Sequence, residues 1–335
     1  MTKLPAVPVV VLLPLLLTTV ACAARDDAGG GADGGPPAYP ADAVVLRVDQ
    51  VGGFVTPTMM LTRLPTVSVY GDGRVITEGP QIEIYPGPAL PNVQVATIGA
   101  DQVADLVDRA RAAGVGSAAD LGSPNVTDLP TTRFQLSGAT GVEETEVEAL
   151  LAGPEAETEL TAAQRQARQR LRIFAESLTT PPTAEDAPPA GSPTVEGTPP
   201  VTPPTVEGAP PVTPPTVGDA PPATPPTVGG AEPVETTAYQ ATGLAVVAQP
   251  WVEPEGIAAP QVLAWPGPGL PGQEIGPSGD LGCVTVTGAA LEQVRQAAAG
   301  ANAATGWISD GRRWTLTFRP LLPDETDCAS LTAAR

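Results

Sequence analysis

The sequence predicts an α+β fold made of two small α+β units joined by a proline-rich spacer. Short β-like runs bounded by turn residues alternate with helical runs in two separate stretches. Between the stretches the triplet Pro-Thr-Val recurs at Pro193, Pro204, Pro215 and Pro226, a period of eleven residues. The 335 residues also include 42 prolines and 36 glycines but only 4% aromatics, too little apolar material for one large globule.

The first 22 residues carry the most specific signal. Met1 to Lys3 give a positive start, and the uncharged run Leu4 to Leu17 is shorter than the roughly 20 residues of a spanning helix. Leu17-Thr18-Thr19-Val20-Ala21-Cys22 then places small or aliphatic residues directly before a cysteine. This resembles a bacterial lipoprotein signal peptide ending in a lipobox. The resemblance implies a signal peptide over 1–21, acylation of Cys22, and a place on the extracytoplasmic face of the cell membrane. Several acyl chains at about 0.8 kcal/mol per buried methylene make such an anchor durable. The alternative for the same stretch is an ordinary secretory signal with an incidental cysteine, or an uncleaved anchor. Alanine, proline and glycine richness beside a single lysine, Lys3, also makes the mature chain similar to secreted actinobacterial lipoproteins. That likeness implies a location and no activity.

Residues 22–40, rich in Gly, Asp and Pro, read as a flexible tether. The N-terminal unit, 41–180, opens with strands over Ala43 to Val48 and Thr66 to Tyr70. Gly71-Asp72-Gly73 is a tight turn into Arg74 to Thr77, with Asp72 a turn residue and not a metal ligand. Gln81 to Tyr85 and Val93 to Ile98 are expected to extend the sheet. Asp101 to Ala113 sets Val103, Leu106, Val107 and Ala110 on one helical face, and Gly114 ends it. Thr132 to Leu136 and Val142 to Leu150 read as strands, with Glu144, Glu146 and Glu148 toward water. Thr161 to Leu178 reads as a helix with a Thr161/Gln164 capping box and an apolar side of Leu171, Phe174 and Leu178. Arg165, Arg168 and Arg172 form a second stripe, either solvated or free to dock an acidic partner or lipid headgroups.

Residues 181–238 hold the repeat. Their Pro-Pro pairs favour polyproline II, which predicts a disordered, semi-rigid spacer reaching up to about 180 Å at about 3.1 Å per residue. Thr202, Thr213 and Thr224 are candidate O-glycosylation acceptors there. In the C-terminal unit, 239–335, Leu244 to Ala248, Val262 to Trp265 and Cys283 to Thr287 read as strands. Ala289 to Ala299 reads as a helix, and Trp314 to Phe318 as a half-buried strand. Tyr85-Pro-Gly-Pro-Ala-Leu-Pro91 and Trp265-Pro-Gly-Pro-Gly-Leu-Pro271 share a motif. The recurrence suggests that the units are duplicates, lying apart or paired with the spacer bulging between them; chance in Pro/Gly-rich sequence is the alternative.

The chemistry open to the chain is narrow. With no histidine, and no lysine beyond Lys3, Ser-His-Asp, Cys-His and Ser-Lys catalysis and histidine-ligated metals are excluded. We expect no cofactor and no metal site, since no phosphate loop or dinucleotide fingerprint occurs. A formal charge of −20 repels polyanions and argues against a nucleic-acid partner. If Cys22 is lipidated, Cys283 and Cys328 remain as a pair in an oxidising compartment, and a disulfide between them is expected. Paired carboxylates are the remaining catalytic resource. Asp280, Asp310, Asp324, Glu325 and Asp327 are available, with Trp265 and Trp307 as conceivable sugar platforms. The sequence therefore supports an anchored envelope protein acting by binding or scaffolding, toward envelope proteins or cell-wall glycan. A carboxylate-based hydrolase of cell-wall carbohydrate is the alternative, and no catalytic residue is assigned.

Overall fold

The computed structural model describes residues 39–138, 141–179, 235–257, 259–276 and 280–333. The signal segment, Cys22, most of the tether, the spacer repeats and Thr202, Thr213 and Thr224 lie outside them.

The class is α+β, built on two sheets. The first has strands β1 (Val44–Val51), β2 (Val67–Tyr70), β3 (Arg74–Glu78), β4 (Val93–Thr97), β5 (Thr131–Gly138), β6 (Gly141–Glu148) and β7 (Thr237–Ala238). Their spatial order is β6-β5-β1-β2-β3-β4-β7, every neighbour antiparallel. Helices α2 (Ala100–Ala113) and α3 (Ala162–Thr179) cover one face, where Leu46, Val48, Phe134 and Leu136 meet Leu106, Ala110, Leu171 and Phe174. Local chemistry fixes each end. Asp72 accepts from the Arg74 amide at 3.1 Å in the β2–β3 turn. Gly73 has φ +87°, and a Cβ there would lie 2.1 Å from the Ile98 carbonyl oxygen, so only glycine fits. Gly114 takes the left-handed conformation that closes α2. At α3, Gln164 accepts from the Thr161 amide at 2.8 Å while Thr161 accepts from the Gln164 amide at 3.3 Å, completing the capping box.

The second sheet contains β8 (Gly243–Pro250), β9 (Val262–Ala264), β10 (Gln273–Glu274), β11 (Gly282–Thr287), β12 (Gly306–Ser309) and β13 (Arg312–Pro320), in the order β10-β11-β8-β13-β12-β9. Only β9 and β12 run parallel. Helix α4 (Gly288–Ala299) lays Leu291, Val294 and Ala298 on a core where Trp265 meets Trp307 edge-on at 5.8 Å and Trp307 meets Phe318 at 5.6 Å. Such aromatic pairs add about 0.5–1.5 kcal/mol each beyond area burial.

Both sheets fall within one compact unit. Three features fasten them. Helix α1 (Pro57–Thr62) of the first half lends Leu61 to a cluster with Ala245, Val247, Cys283 and Leu331. The segment after β13 lends Leu322 to a cluster with Tyr70, Ile76 and Val93. Strand β7, at the end of the expected spacer, pairs with β4 before the chain enters the second sheet. At the other boundary Tyr39, the end of the expected tether, packs on the first core.

Gln81 to Tyr85 is not a strand. The β3–β4 ladder closes beneath it, where the Gly79 amide donates to the Asn92 carbonyl at 2.8 Å, so the intervening chain leaves the sheet as a loop with Ile82 and Ile84 exposed. The motif that follows reaches the turn between α4 and β12 instead: the Ala89 amide bonds the Ala301 carbonyl at 3.2 Å, and the Ala303 amide bonds the Gly87 carbonyl at 2.8 Å. Nor does the shared motif extend to shared wiring. Strand β4 is separated from β1 by β2 and β3, whereas β11, which follows the second motif, pairs directly with β8.

Candidate functional site

The second face of the first sheet is unusual for a sheet interior. Strand β1 reads Val-Val-Leu-Arg-Val-Asp, so alternation sends Leu46 and Val48 to the helices and Arg47 and Asp49 to the opposite side. Register places Arg47 beside Ser68 and Gln135, and Asp49 beside Arg133. On the outermost strand Glu146 faces Arg133. The result is a polar ladder under the segment that follows β13.

Each buried arginine of the ladder has a carboxylate. Arg47 donates to Asp324 through Nη2 at 2.7 Å and Nη1 at 3.0 Å, to Ser68 at 3.0 Å and to the Tyr70 hydroxyl at 3.0 Å. Tyr70 in turn donates to Asp324 at 2.7 Å. Burial pushes the Tyr70 phenol far above its ordinary range, so it remains a donor. Burial also opposes charge on Arg47, but the Asp324 hydrogen bond and the surrounding negative groups outweigh it and hold the guanidinium charged. Arg133 donates to both oxygens of Asp49, at 3.1 and 2.8 Å. Arg319, on β13, grips Glu325 through Nη1 at 2.5 Å and Nη2 at 2.8 Å.

Between this ladder, α1 and the C-terminal segment lies a cleft of about 250 Å³. Arg47, Arg133 and Arg319 line its inner wall, Arg63 stands just after α1, and Met60, Leu61, Leu64 and Pro65 form an apolar wall. Among the described residues no cluster of ligating side chains could hold a metal ion, and no helix is long and apolar enough to cross a membrane.

The residues singled out by sequence are scattered. Glu325 lines the cleft and Asp324 stands beside it on Arg47, each committed to an arginine. Asp310, at φ +50°, makes the β12–β13 turn with Gly311. Asp327 caps α5 (Ser330–Ala333), accepting from the Ala329 amide at 2.9 Å. Asp280 is exposed beside the start of β11. Trp265 and Trp307 are not platforms: they are 8% and 1% exposed, because the apolar face of α4 and Phe318 close over them. The arginine stripe of α3 also needs correction. Arg168 is fully buried, donating to Glu157 at 2.7 Å and to the Glu148 carbonyl at 2.7 Å. Arg172 joins the same carboxylate and bonds the Leu150 carbonyl at 3.0 Å, and Arg165 bonds the Leu160 carbonyl. These side chains hold the turns before α3 and are not a docking surface.

Cys283 and Cys328 are disulfide-bonded, with Cα atoms 6.1 Å apart. The bond ties the cleft's C-terminal wall to β11. Sequence reading missed Arg47, Arg63, Arg133 and Arg319. The available signal was an arginine inside the apolar run of β1 with an aspartate two residues on, a pattern that a two-sided strand needs only if something polar lies on its second face. No protein family, curated protein or solved structure matches this chain.

Proposed function

We propose that this chain is a lipid-anchored protein of the extracytoplasmic face of a bacterial cell membrane, held by acylated Cys22, and that it acts by binding in the cleft between its two sheets. The lipobox residues Val20-Ala21-Cys22 support the anchor. The observation that carries the binding reading is the cleft itself, an apolar wall facing a row of positioned arginines at the junction of two fastened sheets. Binding fits better than hydrolysis, because Asp324 and Glu325 are held in ion pairs and the tryptophans lie in the core.

A photoreactive residue placed at Met60 in cells tests this reading, with the same residue at exposed Ile173 on α3 as control. Membrane-fraction protein that forms an adduct from position 60 and not from 173 supports it. Equal labelling at both positions rejects the cleft, and a soluble, unacylated product rejects the anchor.

A further inference from the structure

We propose that the cleft takes an amphipathic anion, a short hydrocarbon chain ending in a single acidic head group that docks on Arg63. The proposal rests on the reading of the cleft as the binding site and names the ligand class. Arg47, Arg133 and Arg319 are each ion-paired to a carboxylate, whereas Arg63 is in no ion pair among the described residues, Glu78 sharing only the neighbouring hollow with it. Its Nη1 donates to the backbone carbonyls of Gln50 and Gly52, at 2.9 and 3.2 Å, and among the described residues it forms no ion pair. A second donor lining the cleft is also unmet: among the described residues Nε of Arg319, in a side chain 5% exposed, has no hydrogen-bond partner. Glu146 also lines the cleft, but it stands opposite Arg133 in the strand register on β6, two strands away from β1, whose end holds Arg63 through the Gln50 and Gly52 carbonyls. A guanidinium offers a charge-assisted, two-pronged contact to a carboxylate or phosphate head.

The rest of the cleft asks for hydrocarbon. Met60, Leu61, Leu64 and Pro65 supply apolar lining, and exposed apolar side chains neighbour the lining residues in sequence. Phe54, two residues beyond Gly52, is 87% exposed, and Met59 is 53% exposed. At about 250 Å³ the space falls below the roughly 300–1,000 Å³ of drug-sized sites, which favours a short chain over a glycan or a folded peptide.

Calorimetry on the full chain carrying Cys22→Ala, so that no acyl group competes, tests the proposal with decanoate, decyl phosphate and the uncharged analogue decanol. Decanoate or decyl phosphate is expected to bind at least roughly tenfold more tightly than decanol, and whichever binds better identifies the head group. Arg63→Gln removes the charge while keeping a polar side chain, and is expected to weaken anion binding by roughly tenfold or more while leaving decanol unchanged. Equal affinity for anions and decanol, an unaffected Arg63→Gln variant, or no binding of any probe overturns the inference. The comparison of decanoate with decanol in the unsubstituted protein stands even if the variant fails to fold. Adducts at position 60 without anion preference would leave the cleft as the site and remove only the ligand class.

Discussion

Arg47 and Asp324, 277 residues apart in the chain, form a two-pronged ion pair with N···O distances of 2.7 and 3.0 Å across the junction of the two sheets. The Arg47 side chain is 8% exposed, so its charge is tolerated because Asp324, Tyr70 and Ser68 accept its hydrogen bonds. Asp324→Asn therefore strands a buried charge. A loss of about 3 kcal/mol is expected, as for breaking other buried pairs from one side, read as a lower urea midpoint. A change within about 0.5 kcal/mol would mean that the sheets are held by their apolar contacts alone.

The same pair predicts acid sensitivity. Burial raises the Asp324 carboxyl, but hydrogen bonds from Arg47 and Tyr70 and the charge of Arg47 outweigh it, so its pKa lies below the ordinary 3.8. A pKa depressed by folding gives stability that is complete above the unfolded value and is lost as pH falls through the folded one. Stability should therefore hold from neutral pH to about pH 4 and fall below it. Asp324→Asn, weaker at neutral pH, should lose less over the acid interval. Parallel curves for the two proteins would assign acid unfolding to other carboxylates.

A buried triad anchors α3. Glu157, 2% exposed, receives Arg168 and Arg172 together, and the same arginines hold the carbonyls of Glu148 and Leu150 where β6 turns toward the helix. Glu157→Gln would leave two guanidiniums facing a neutral amide, and we expect a loss of about 3–5 kcal/mol. Replacing exposed Glu144, on the neighbouring strand, should stay within about 0.5 kcal/mol. Thermal unfolding of the two variants side by side checks the contrast.

The triad also shows where sequence reading stops. Period and caps located α3 and its apolar side, because Leu171, Phe174 and Leu178 repeat at helical spacing and Thr161 and Gln164 satisfy each other locally. They could not show that the flank bearing Arg168 and Arg172 is covered as well, since the cover comes from Glu157 in a short turn with no periodicity of its own. Gln81 to Tyr85 failed in the opposite way. Its alternation of isoleucine with polar residues fits a strand, but strands need a neighbour, and the ladder had already closed at Gly79 and Asn92. The cleft was the least legible part, because Arg63 and Arg319 are far apart in sequence and only the packing of the two halves brings them to one wall.

The disulfide predicts a local effect beyond its general one. Cys283 sits on β11, between β10 and β8, while Cys328 lies at the end of the segment that supplies Asp324 to Arg47 and Glu325 to the cleft. A cross-link over a sequence separation of 45 restricts the unfolded chain by about 4 kcal/mol on the chain-entropy estimate, so Cys283→Ser with Cys328→Ser should lower global stability by that order. In the segment it holds, the Leu322 amide donates to the Glu325 carboxylate at 2.8 Å, the Cys328 amide to the Thr285 hydroxyl at 3.0 Å and the Leu331 amide to the Cys328 carbonyl at 3.2 Å, bonds local to the segment and to β11. Hydrogen exchange under native conditions should then show protection lost first at the amides of Leu322, Cys328 and Leu331, with the amides of α2 and α3 keeping theirs. Ligand binding should weaken in parallel, because Ser330 and Leu331 of that segment help to line the cleft. Uniform loss of protection over both sheets would mean that the cross-link acts on the unfolded chain alone, and that the Arg47 and Arg319 pairs suffice to hold the cleft wall in place.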